Sequence, residues 1–135
     1  MTESVRATTK NKRNNMPYVD GFIVPVPKKN LEAYSRLSKK AGKIWREYGA
    51  LDYREWVAED VKVGKFTSFP RSVKLKPGET VVFAWITYKS RAQRDKINAK
   101  VMADPRLSEL MDPKAKPPFD GKRMIFGGFE SLVKV

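Results

Sequence analysis

The chain has 135 residues, with 28 Lys and Arg against 15 Asp and Glu, a formal net charge of +13, and neither cysteine nor histidine. That length allows one domain with one core, and 41% hydrophobic with 32% charged residues fits a globular chain. The missing residue types exclude disulfides, thiolate nucleophiles, Cys or His metal sites and any His-centred triad.

No apolar run approaches the ~20 residues of a membrane span, so no membrane partner is expected. Residues 1–15 hold Arg6, Lys10, Lys12 and Arg13 against Glu3, with Val5 the only sizeable apolar side chain after Met1. Such a segment has nothing to bury and is expected to be a disordered basic tail. It lacks the apolar stretch of a signal peptide, which points to a cytoplasmic protein. Residues 16–135 are expected to form a single domain, and Met1 and Met16 both stand as candidate starts.

Tyr18 to Val26, Y-V-D-G-F-I-V-P-V, is aromatic and β-branched, too short for a helix, and closed by prolines; it predicts the first strand. A helix follows from about Asn30 to Tyr48. Leu31, Tyr34, Leu37, Ala41, Ile44, Trp45 and Tyr48 recur mostly at spacings of three and four and share a face. Asn30 is placed to cap it and Gly49 to stop it. Leu51 to Glu59 predicts a second strand. The connection from Asp60 to Glu79 is long for a compact domain, so part of it is expected to be ordered. Thr80 to Tyr88, T-V-V-F-A-W-I-T-Y, is the strongest strand pattern. Ser90 with Gln93 forms a capping box for a second long helix. Asp104 and Pro105 suit the start of a short helix through Met111. Arg123 to Val133 predicts the last strand, interrupted at Gly127 and Gly128.

The order β-α-β-β-α-β is that of a ferredoxin-like α+β sheet with its helices on one face. Val81, Phe83 and Trp85 then point away from Val82, Ala84 and Ile86, so both faces of the third strand are apolar. Helices cover one face only. A second copy of the sheet is the simplest cover for the other, so a homodimer is expected.

The block P-F-D-G-K-R-M-I-F-G-G-F-E, Pro118 to Glu130, resembles the YbaA-like family of bacterial proteins of unknown function. Y-V-D-G-F at Tyr18 to Phe22, V-V-F-A-W-I at Val81 to Ile86, and D-P-R at Asp104 to Arg106 extend the resemblance in order along nearly the whole domain. It implies a dimeric α/β barrel, in which two ferredoxin-like sheets pack face to face. It implies no particular reaction.

Asp20, Glu55 and Arg123, with Asp120, are the candidate catalytic residues. Asp20 stands in an otherwise apolar strand, where an unpaired carboxylate is costly. An ion pair with Arg123 is the favoured account, and a general base with raised pKa the alternative. Tyr18, Phe83, Trp85 and Asp120 are candidate ligand-pocket residues. Gly64-Lys65 fails as a phosphate loop, because Glu59 stands where that motif needs glycine. Gly127-Gly128 lacks a dinucleotide fingerprint and reads as a bulge or a close backbone approach. No cofactor and no metal is implied, since no loop has calcium-type spacing. The leading expectation is a homodimeric barrel of unassigned activity with a small-molecule pocket, open to being a cofactor-independent enzyme, and a purely structural interaction protein ranks third. The alternative is a basic RNA-associated module, stacking bases on Phe83 and Trp85 with Tyr18 or Phe22. The scattered charges and the absent RNA-binding signature rank it second.

Overall fold

The computed structural model describes residues 16–135. The tail expected over residues 1–15 lies outside the described residues. The fold is mixed α+β. Four strands, β1 (Tyr18–Pro27), β2 (Asp52–Val57), β3 (Glu79–Tyr88) and β4 (Ile125–Glu130), form one sheet in the order β2-β3-β1-β4. Every neighbouring pair is antiparallel. Four helices accompany it among the described residues: α1 (Leu31–Glu47), α2 (Phe69–Ser72), α3 (Arg91–Ala103) and α4 (Pro105–Leu110).

The strand β1 is central yet runs through Pro25, where the sequence suggested an end. The β1–β4 ladder stops at Ile23 opposite Ile125, so Pro25 lies where that edge of β1 has no partner. An imino acid is tolerated at such an edge.

The apolar stripe of α1 buries Tyr34, Ala41 and Ile44 against the sheet. Its start differs from expectation. A single 3₁₀ turn, Lys28–Asn30, leads in, and the Asn30 side chain does not cap it. Instead Asn30 Nδ2 donates to the Pro118 carbonyl at 3.1 Å and ties the helix start to the connection before β4. Its end is as expected. Gly49 takes a φ of +116°, and the amides of Gly49 and Ala50 bond back to the carbonyls of Arg46 and Trp45. That is the reciprocal pair of a left-handed helix stop, which favours glycine.

Ser90 caps α3 by accepting from the Gln93 amide, and Asp104 caps α4 by accepting from the Arg106 amide. Ala41 and Ile44 of α1, Ile97 and Val101 of α3, and Leu107 of α4 converge on Tyr18, Ile86 and Tyr88 of the sheet in one buried cluster. No helix among the described residues is long and apolar enough to cross a membrane.

The opposite sheet face is partly covered from within the chain. The connection between β2 and β3 carries α2 and folds over one end of it. Val73, 1% exposed, packs there with Ile23 and Val81, flanked by Ala58 and Leu75. The rest of that face is open. Trp56, Trp85, Phe83 and Phe69 form a chain of rings with centroids 5.4–6.0 Å apart. Trp56 is 46%, Phe83 41% and Phe129 61% exposed.

Candidate functional site

The side chains of β1 that face the helices are Asp20, Phe22 and Val24; those of β3 are Ala84, Ile86 and Tyr88. Together with Tyr53 and Glu55 of β2 they floor a cavity of about 620 Å³ roofed by α1, α3 and α4. Most of the wall is apolar or aromatic, as ligand cavities usually are. Met102, Met111 and Phe126 line it and are also well exposed, which marks them as its mouth.

Polar groups stand in two sets. In the first, Asp20 is buried on β1, and its Oδ1 lies 3.2 Å from Arg94 Nε on α3. The alignment is poor for a hydrogen bond, and Arg94 Nε is a buried donor without one. The guanidinium is otherwise engaged: Nη2 donates to the Tyr18 hydroxyl at 3.1 Å, and Nη1 pairs with Asp95 at 2.9 Å. Burial works against the charge on Arg94, but Asp20, Tyr18 and Asp95 together outweigh it and raise its pKa. Beside this pair, Asn98 Oδ1 accepts from Trp45 Nε1 at 3.0 Å and from the Tyr88 hydroxyl at 3.3 Å. An indole N–H only donates, so this contact fixes which end of the amide is oxygen. Burial, then the Asp20 charge, pushes the Tyr88 phenol above its usual range.

In the second set, Glu55 Oε1 accepts from the Tyr34 hydroxyl of α1. The Tyr53 hydroxyl shares a 3.1 Å hydrogen bond with Ser38 Oγ on α1. Burial raises the Glu55 pKa above that of an ordinary glutamate, and the Tyr34 and Tyr53 hydroxyls only partly offset it. Burial likewise raises both phenols, Tyr34 and Tyr53, with the Glu55 charge adding to it. None of the ion pairs among the described residues brings a Lys or Arg to Glu55.

The expected site residues therefore separate. Asp20 and Glu55 share the cavity wall, and Tyr18 is buried beside it, bonded to Arg94. Arg123 does not pair with Asp20. It pairs with Glu79 and Asp120, and Nη1 also donates to the carbonyls of Val73 and Lys74. Arg123 and Asp120 thus pin the β2–β3 connection to the entry of β4. Phe83 and Trp85 lie on the opposite sheet face, among the open rings. Among the described residues no group of three or more carboxylates is placed to hold a metal ion.

Arg94, Asn98, Tyr34 and Tyr88 were not singled out from sequence. The available signal was a pair of polar residues on the inner face of α3, since Arg94 and Asn98 flank the buried Ile97 and precede Val101 by seven and three positions. The glycine pair does have a role at the site. A Cβ on Gly128 would collide with the Tyr18 hydroxyl and Arg94 Nη2, so the close backbone approach expected of this pair is present at Gly128.

A family model described as "Protein of unknown function (DUF1428)" matches residues 17–121. The chain belongs to this family. It is 48% identical over 118 residues to the uncharacterized protein YbaA of Escherichia coli K12, across 87% of this chain and 98% of YbaA. The same figures hold for YbaA of Shigella flexneri. The resemblance seen in the blocks from Tyr18 to Glu130 is thus one of family. Among solved structures, this DUF1428 chain is similar to a NIPSNAP family protein of unknown function from Agrobacterium tumefaciens. Identity there is 15% and the TM-score 0.50, over 87% of this chain and 89% of that one. A protein of unknown function from Rhodopseudomonas palustris gives 16% identity and a TM-score of 0.53, over 99% and 96%. At such identities the likeness is one of fold.

Proposed function

We propose that this DUF1428 chain is a cytoplasmic homodimeric α/β barrel, each protomer of which binds a small, mostly apolar organic molecule between its sheet and its helices. The cavity carries the proposal. It has the size and the apolar wall of a ligand site, and a few fixed polar groups face into it. If the molecule is turned over, Glu55 is the group to move a proton without a cofactor. None of the ion pairs among the described residues brings a cation to its carboxyl, and burial keeps its pKa high.

The β2-β3-β1-β4 order supports the ferredoxin-like reading of the sheet. The open rings of Trp56, Phe83 and Phe129 support the dimer, since a face this aromatic gains by burial against its own copy. An obligate interface of that kind covers upwards of roughly 2,000 Å² in total.

Native mass spectrometry of the protein purified from its own cells tests both parts. The expected spectrum is a dimer with a small molecule retained on each protomer. A monomer that brings RNA with it would overturn the proposal and favour an RNA platform on Trp56, Phe83 and Trp85.

A further inference from the structure

The charges of the cavity run against those of the protein. Lys and Arg outnumber Asp and Glu by 28 to 15 in the chain. Yet the cavity wall carries two carboxylates, Asp20 and Glu55, and one cation, Arg94. Arg94 is already committed to Asp20, Asp95 and the Tyr18 hydroxyl. The charge left over inside is the carboxylate of Glu55.

The surroundings of Glu55 suit a positive group. Tyr34 donates to Oε1 and the Tyr53 hydroxyl also stands by the carboxyl, yet none of the ion pairs among the described residues brings a cation to it. The nearby rings are arranged in two pairs. Tyr34 meets Phe119 edge-on at 5.4 Å, and Trp45 lies 6.0 Å from Tyr53 at a tilt. Aromatic faces attract a cation through their quadrupole, most strongly where water is excluded. An anionic ligand fares worse. It would have to displace Asp20 from Arg94 and face the Glu55 charge across an apolar gap, where repulsion is poorly screened.

We infer that the ligand of this cavity is an organic amine, its ammonium docked on Glu55 between the tyrosine rings and its apolar body lying toward the methionine-lined mouth. The inference rests on the proposed ligand-binding role and adds the chemical class. An ammonium would give Glu55 a charge-assisted donor and the counter-charge that no ion pair among the described residues supplies, in one contact. The apolar walls and Met102, Met111 and Met124 then take a hydrocarbon or aromatic body of variable shape.

Three probes of one shape and different charge decide it: tryptamine, tryptophol and indoleacetate, titrated by NMR into the full chain near neutral pH. Tryptamine is expected to bind about tenfold or more tighter than tryptophol, the gain usual for a buried charge-assisted hydrogen bond. Glu55→Gln should remove that preference, bringing the tryptamine and tryptophol affinities within about twofold of each other. The wild-type ratio is decisive by itself, whatever the variant does. Tryptophol or indoleacetate binding as tightly as tryptamine would overturn the amine assignment and leave the cavity a ligand site. Failure of all three to bind would overturn the assignment and the ligand-binding role together.

Discussion

Gly128 on β4 lies directly against the guanidinium of Arg94 on α3, close enough that a side chain at 128 would occupy the position of Arg94 Nη2. The strand has to be bare there because the arginine reaches across it to Asp20 and Tyr18. Gly128→Ala is therefore expected to destabilise by about 1–3 kcal/mol, the usual cost of overpacking a filled site. Gly127→Ala supplies the contrast. Its Cβ would meet only the Phe129 ring, at 3.9 Å, an ordinary contact. Chemical denaturation of both variants checks this, and equal losses would disprove the close approach.

The Asp20–Arg94 pair is mostly buried, with side-chain exposures of 11% and 20%. Removing one partner strands the other charge. Arg94→Met should cost about 3–5 kcal/mol, as broken buried pairs do, while adding Asp20→Asn to it should recover part of the loss. A denaturant series on the two singles and the double measures the coupling. Strictly additive losses would show that the pair contributes nothing as a pair.

How far the sequence reaches is plain from these residues. The apolar stripe of α1, the glycine stop at Gly49 and the caps at Ser90 and Asp104 are local, and each was legible within a few positions of chain. The two-sided apolar pattern of β3 was legible for the same reason, because alternation is a property of the strand itself. The partner of Asp20 was not. Arg94 and Arg123 are equally basic in the sequence, and only the packing of α3 over β1 chooses between them. The cavity was illegible in a deeper sense. Periodicity states which side chains point inward, and it says nothing of whether they fill the space between them. Val73 shows a third limit. One valine in a long loop carries no pattern, yet it covers an end of the second sheet face.

Glu55 predicts an unusual pH response. Its folded pKa lies above the 4.5 of a free glutamate because burial disfavours the charge. A group with a raised pKa adds most stability below its unfolded value and loses it as pH rises through the folded one. Ionised Glu55 therefore costs stability near neutral pH. Glu55→Gln keeps an acceptor for Tyr34 and avoids that cost. The variant should melt higher than wild type at pH 8, with the gap closing as pH falls below about 4.5. A gap that widened in acid would mean the carboxylate is stabilised by the fold.

The Arg123 strut carries the opposite sign. Its hydrogen bonds are the main force holding the Glu79 and Asp120 carboxyls below their ordinary values of 4.5 and 3.8. Stability from such groups is present above the unfolded pKa and is lost as pH falls through the folded one. Arg123→Met is thus expected to destabilise most at neutral pH, with its deficit shrinking in acid. Because Nη1 also holds the carbonyls of Val73 and Lys74, limited proteolysis should cut the variant first between β2 and β3. Tryptophol binding should survive, since Arg123 is not part of the cavity wall.

The proposed dimer depends on the open sheet face. The Trp85 ring lies 5.4 Å from Trp56 at a tilt and 5.6 Å from Phe83 edge-on, in the middle of that patch, and its indole donates to Asp52 at 3.2 Å. The face is only half-covered within one protomer, so Trp85→Asp leaves a single folded chain with a solvated carboxylate. Pressed against a second copy, the same carboxylate is buried without a partner, a penalty of several kcal/mol for each protomer. Sedimentation equilibrium at micromolar concentration should find wild type dimeric and Trp85→Asp monomeric, with helical circular dichroism unchanged. Ala84 is the control position. It lies one residue away and faces the helices, where it is 6% exposed. Ala84→Asp should instead unfold the protomer, because it would place a charge beneath α1. A wild-type monomer, stable with its rings in water, would remove the reason for a two-sided β3.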